Sequence, residues 1–140
     1  MSGKKKITLK TLPTATAQEV FDQVVGHLLR QGERCAGPVH RHEFRFGLLD
    51  VDIGKPYCLY RNNEGMKCAA GCLIGDDEYR LSMEGHAWGE IAPEEHAELI
   101  ITLQLIHDLY TPSIWASKLR DLAIARHLDP GIIGETIRGR

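Results

Sequence analysis

Residues 58–79 read CLYRNNEGMKCAAGCLIGDDEY and hold three of the chain's four cysteines. Residues 57–60 have strand composition. The Asn62-Asn63-Glu64-Gly65 tetrapeptide is turn chemistry, because Asn and Gly tolerate positive φ. Met66 and Lys67 would bring the chain back toward Cys58 as a small hairpin. Residues 68–74 are short, apolar and rich in small side chains, the composition of a buried helical turn or two crossing closely over that hairpin. Gly75 ends the run, and Asp76 is placed to cap a further turn through Tyr79 and Leu81. This stretch decides the fold class: with a hairpin here the chain is α+β, a small single domain, predominantly helical, with a short β-hairpin or small antiparallel sheet.

On the N-terminal side, Thr16-Ala17-Gln18-Glu19 fits a capping box, in which the threonine hydroxyl and the glutamate carboxylate satisfy free backbone donors at a helix start. Val20, Phe21, Val24, Val25, Leu28 and Leu29 then share one helical face, and Gly32 is a natural stop. Residues 7–12 read as a short strand or an extended arm. Residues 39–46 alternate, with His40, His42, Phe44 and Phe46 on one face, as a half-buried strand does. Residues 48–53 supply a second short strand or a loop.

On the C-terminal side, Pro93 at a first helical position with Glu94 and Glu95 behind it suits a helix N-terminus. Leu99, Leu103, Ile106 and Tyr110 form its apolar stripe, which Ile100 and Ile101 broaden. Thr111-Pro112 opens the next helix, whose apolar face is Trp115, Leu119, Leu122 and Ala123. Leu128-Asp129-Pro130-Gly131 closes it. A break this short predicts an antiparallel or sharply angled pair. The tail from 132 to 140 reads as a strand, an extended arm or a loose end. The expected organisation is one globular domain over 1–140, with 1–12 and 132–140 as arms and 33–56 as an insertion.

The 140 residues are 43% hydrophobic and 26% charged, an ordinary globular composition. A formal net charge of −2 supplies no global field toward nucleic acid or anionic membrane. The only basic run, Lys4-Lys5-Lys6, reads as a solvated end, so nucleic acid is a disfavoured partner. No apolar run approaches a membrane span, and the N-terminal residues make a poor secretory signal. The expected location is therefore a reducing cytoplasm, with the cysteines as thiols unless a metal holds them.

Three uses of the sulfurs compete. As zinc ligands, Cys58, Cys68 and Cys72 would need a fourth donor from His86, His40 or His42, and their spacing lacks the close pair typical of structural zinc. As a nucleophile, Cys68 would need a helix N-terminus to lower its pKa and an imidazole base, His86, His96 or His107, oriented by Asp108 or Glu90. As packing, the cysteines behave as small hydrophobes that fill gaps too tight for leucine. Packing is the favoured reading, with no cofactor expected and zinc as the alternative.

One resemblance rests on Cys58-x-Tyr60-Arg61, the 67–74 run Lys-Cys-Ala-Ala-Gly-Cys-Leu-Ile, Asp76-Asp77-Glu78-Tyr79 and Glu84-Gly85. In these, and in Leu103-Gln104-x-Ile106-His107-Asp108, Trp115 and the amphipathic helix before the hairpin, the chain resembles a group of small uncharacterised bacteriophage and prophage proteins. The likeness spans most of the chain outside 33–56. This sequence departs from the group at Gly75, where a proline is common, and the group does not require cysteine at 72; both weaken a fixed three-cysteine site. The resemblance implies a phage-associated protein in a bacterial cytoplasm and supplies no activity or catalytic residue.

The function expected is therefore binding, and inhibition, of a host protein, with a phage protein or a second copy as other partners. Tyr60, Arg61 and Asn62 at the hairpin tip and Trp88 are the candidate contacts, since tryptophan and arginine are enriched at hot spots. Trp88 has the competing reading of a loop side chain folded onto the core. An enzyme or small-ligand pocket using Cys68 with His86 or His107 and Asp108 is the alternative.

Overall fold

The computed structural model describes residues 6–35, 59–62 and 64–139. The strand expected at 39–46, together with His40, His42, Cys58 and most of the 33–56 stretch, lies outside the described residues. Among the described residues five α-helices carry the fold: α1 (Ala17–Gln31), α2 (Trp88–Ile91), α3 (Ala97–Leu109), α4 (Pro112–Ala125) and α5 (Gly131–Arg138). None of them is long and apolar enough to cross a membrane.

Helix α1 forms where its capping box predicts. Thr16 Oγ1 accepts the Glu19 amide at 3.0 Å, and Glu19 Oε1 accepts the Thr16 amide at 2.8 Å. The helix ends at Gly32, whose φ of 69° is the left-handed conformation that glycine adopts without strain. Val20, Phe21, Val24, Val25, Leu28 and Leu29 are all buried, and α1 lies against α3, α4, α5 and a 3₁₀ turn at Gly71–Leu73. Each such side chain contributes roughly 1.5–3 kcal/mol on burial, so the apolar face of α1 is the spine of the core.

Helix α3 begins at Ala97, four residues after the expected Pro93, because His96 sits in the left-handed region (φ 62°) and interrupts the chain there. Thr111 and Pro112 open α4 as the sequence predicts. Its C-terminus is closed by His127 at φ 59°, with the Leu128 amide reaching back to Ala123 O at 2.8 Å. Gln18 ties the start of α1 to the turn before α5, donating to Asp129 O and accepting the Asp129 amide at 2.9 and 2.8 Å. The tail expected as a strand or arm is helix α5, which buries Ile133 and Thr136 against the core.

The α+β expectation is overturned. Among the described residues there is no β-strand, and the 60–68 turn holds one isolated antiparallel bridge, between Arg61 and Lys67. The turn residues do reverse the chain: Asn62 N reaches Met66 O at 3.1 Å and Cys68 N reaches Tyr60 O at 3.2 Å. A ladder would also need the Tyr60 amide, and that amide donates to the Glu84 carboxylate instead, at 2.9 Å. The Arg61 amide goes to the same carboxylate at 3.1 Å. A side chain from more than twenty residues away has taken the donors that a sheet would use.

Candidate functional site

The Cys68 segment is built around two close approaches. A β-carbon at Gly71 would stand 2.1 Å from Tyr60 O, so glycine is what lets the 3₁₀ turn lie directly on the reversed chain. Glu84 then binds three donors at once, the amides of Tyr60 and Arg61 and the Tyr79 hydroxyl at 2.6 Å. Burial, then the bond to Glu84, drives the Tyr79 phenol pKa upward. The Arg61 guanidinium lies 5.0 Å over the Tyr79 ring, donates to Ile74 O, and pairs with Asp76 at 3.0 Å.

All three described cysteines are free and buried. Cys68 Sγ accepts the Gly71 amide at 3.2 Å, and burial raises its thiol pKa well above the ordinary value. The Cys72 thiol donates to Ala69 O, and the Cys35 thiol to Met66 O, each at 3.2 Å. Burial pushes both up to about 12. At neutral pH these sulfurs are protonated, whereas nucleophilic attack needs the thiolate. Among the described residues no group of three or more His, Cys, Asp or Glu side chains is placed to hold a metal ion.

His107 is fully buried and stacked on Trp115, ring centroids 5.5 Å apart. Its Nε2 receives the Cys35 amide at 3.1 Å, and an amide can only donate. The ring proton is therefore on Nδ1, where it is donated to Asp108 Oδ1 at 2.8 Å. Gln104 extends this network, donating to Asp108 at 2.8 Å and accepting the Ala70 amide at 2.9 Å. The His-Asp pair that resembles the base and orienting group of an enzyme ties α3 to the Cys35 and Cys68 segments, and its imidazole has no nitrogen free for a substrate.

His86 and Glu90 face solvent as a pair at 3.1 Å, and the His86 carbonyl accepts the Tyr60 hydroxyl at 2.6 Å. Asn62 Oδ1 accepts the Glu64 and Met66 amides, which closes the turn. Trp88 is 5% exposed and leans toward Tyr60, with ring centroids 6.3 Å apart. Its indole N–H has no hydrogen-bond partner among the described residues. The four residues expected to form a contact surface, Tyr60, Arg61, Asn62 and Trp88, thus make internal bonds or pack inward.

An exposed apolar stripe lies elsewhere, on α3, apart from the single exposed residues Leu81, Ile114, Ile124 and Ile137. Ile101, Leu105 and Leu109 stand at successive four-residue steps and are 44%, 47% and 68% exposed. The opposite side of the same helix buries Leu99, Ile100, Leu103, Ile106 and His107. The sequence reading assigned Ile101 to the buried stripe and did not single out Leu105 or Leu109. The available signal was the number of apolar residues in α3, too many for one face to bury.

Compared with models of protein families, with curated proteins and with solved structures, this chain finds no match.

Proposed function

We propose that this is a small phage- or mobile-element-associated protein that acts by binding, and inhibiting, a protein of the bacterial host, with the outer face of α3 as the contact surface. The observation that carries this reading is the exposed Ile101–Leu105–Leu109 stripe. A helix apolar on both faces is expected to be covered on both. Glu98, 89% exposed and only loosely paired with Arg126 at 3.8 Å, is the water-facing carboxylate of α3, and the helix holds no lysine or arginine, so the complementary surface is an apolar groove that carries basic charge at its edge. A second copy docking through the same face would bring another α3 with no lysine or arginine. The phage association rests on the sequence resemblance, and the thiol-enzyme alternative has the buried, protonated Cys68 and the occupied His107 against it.

The test compares the chain with a Leu105→Asp/Leu109→Asp variant, whose substitutions lie on exposed positions and leave the core intact. Native mass spectrometry of the protein purified from bacterial cells is expected to show a one-to-one complex with a host protein. Rebuilt from the two purified components, that complex is expected to weaken about 30-fold in the variant, a loss of ~2 kcal/mol typical of an interface anchor. Unchanged affinity in the variant removes α3 as the contact surface. A homodimer that the variant dissociates, with no host protein bound, overturns the reading.

A further inference from the structure

A cleft of about 340 Å³ lies where the N-terminal arm meets the turn after Ile74, lined by Lys6, Thr8, Lys67, Gly75, Asp76 and Asp77. Its volume is at the lower end of small-molecule sites. What distinguishes it is the mounting of its cations. The backbone of Lys67 is fixed by three bonds: its amide donates to Gln31 Oε1 at 2.9 Å, and its carbonyl accepts from His27 Nε2 and Gln31 Nε2 at 2.8 and 2.9 Å. Arg61 is held at the cleft edge by Ile74 O and the Tyr79 ring. Lys6 precedes Ile7, whose amide and carbonyl are both clamped by the Gln23 side chain at 2.8 and 2.9 Å.

Against these three cations stand two carboxylates of the lining, Asp77 and the loosely held Asp76. The Asp76 carboxylate reaches Arg61 at 3.0 Å and Lys67 at 3.7 Å, yet its side chain is 87% exposed. An exposed ion pair of this kind contributes little net stability and is readily exchanged for another anion. The cations repel one another: burial first, and then Lys6 and Arg61, lower the Lys67 ammonium pKa. The nearby Glu78 does not relieve this, because its carboxylate is already held by the amides of Leu9, Lys10 and Gly75.

We propose that this cleft binds the phosphate group of a nucleotide-sized small molecule, with Lys6, Arg61 and Lys67 taking the phosphate oxygens and Asp76 acting as a built-in competitor that swings into water when the ligand arrives. Once Asp76 has left, Lys6, Arg61, Lys67 and the remaining Asp77 sum to two positive charges, matching a phosphate dianion. The Arg61 Nη1 that now faces Asp76 would be freed for a phosphate oxygen, and a charged N–H donor combined with ammonium point charges is common chemistry of phosphate recognition. The site is separate from the α3 face and independent of the role proposed for it.

Calorimetric titration at low salt with adenosine monophosphate, inorganic phosphate and adenosine tests the proposal on the wild-type chain and on Asp76→Asn, Lys67→Gln and Lys6→Gln. Adenosine monophosphate is expected to bind, adenosine not to bind, and Asp76→Asn to tighten the monophosphate about fivefold by removing the competitor. Lys67→Gln and Lys6→Gln are each expected to weaken it at least about tenfold. Inorganic phosphate binding as tightly as the nucleotide supports the same chemistry, with free phosphate as its source. Equal binding of adenosine and its monophosphate, or an Asp76→Asn variant that binds no better than wild type while keeping its thermal midpoint, overturns the proposal.

Discussion

Two regions of this molecule are held together by different forces. The α1, α3, α4 and α5 helices are joined through apolar faces whose spacing repeats along the chain: Phe21, Leu28, Leu103, Trp115, Leu119 and Ile133 are all fully buried. The described residues from 59 to 86 form only short 3₁₀ turns, and alongside the turn carbonyls, side-chain carboxylates and amides take several of their backbone donors. Glu84 binds the Tyr60 and Arg61 amides, Glu78 binds those of Leu9, Lys10 and Gly75, and Gln104 binds that of Ala70. Burial of apolar area is non-directional and tolerates small shifts. A carboxylate cradled by three donors is directional and fails when one geometry changes. The helices should therefore lose stability in proportion to buried volume, and the irregular region in response to single contacts.

The largest effect is expected in the helical part. Trp115→Ala removes a fully buried indole, its stack on His107 and its N–H bond to Tyr110 O at 3.1 Å. The expected loss is about 4 kcal/mol, read as a lowered urea midpoint. A loss under about 1 kcal/mol would mean that the helices do not depend on this contact, and the contrast between the regions would fail. Gly71→Ala is next, at about 3 kcal/mol, because the new methyl meets the Tyr60 carbonyl and both sides of the contact are backbone. Here the informative measurement is amide hydrogen exchange. Protection is expected to fall first in residues 59–86 while α4 and α5 keep theirs; equal loss everywhere would show one cooperative unit.

What could be read from the sequence follows the same division. The Thr16–Glu19 capping box, the apolar face of α1, the Gly32 stop and the Thr111–Pro112 helix start all depend on residues within one or two turns of each other, and each appears as expected. The hairpin was misread because the deciding residue, Glu84, is 23 positions from Arg61. Nothing local to the Asn62 turn shows that its donors will be taken. The tail was misread for a related reason: Gly131 and Gly134 lower helix propensity, and α5 is stabilised by its contact with α1, which composition does not reveal. The candidate site followed the same rule. The small residues at 68–72 did signal close packing, which Gly71 against Tyr60 O displays. The use of the His107 ring by the Cys35 amide, 72 positions away, had no sequence signal.

The smallest expected effect separates the two regions by pH. Burial of the Glu78 carboxyl opposes its ionisation, but the Gly75, Leu9 and Lys10 amides favour the charged form more strongly, so its pKa in the folded chain is lowered. An unfolded glutamate titrates near about 4.3. The stabilisation from Glu78 is therefore complete above that value and disappears as the pH falls through the lower folded pKa. Its share is expected to be about 1 kcal/mol at neutral pH, the scale of bonds to a partly solvated charged group. Glu78→Gln should lower the urea midpoint at pH 6, and the deficit should shrink as the pH falls below the unfolded glutamate value and the wild-type carboxylate takes up its proton. Leu119→Ala, which removes only buried hydrocarbon from α4, should show a deficit that changes less with pH. If the Glu78→Gln deficit shows no decline over that fall in pH, the carboxylate acts there by shape and not by charge, and the line drawn between the helices and the irregular region disappears.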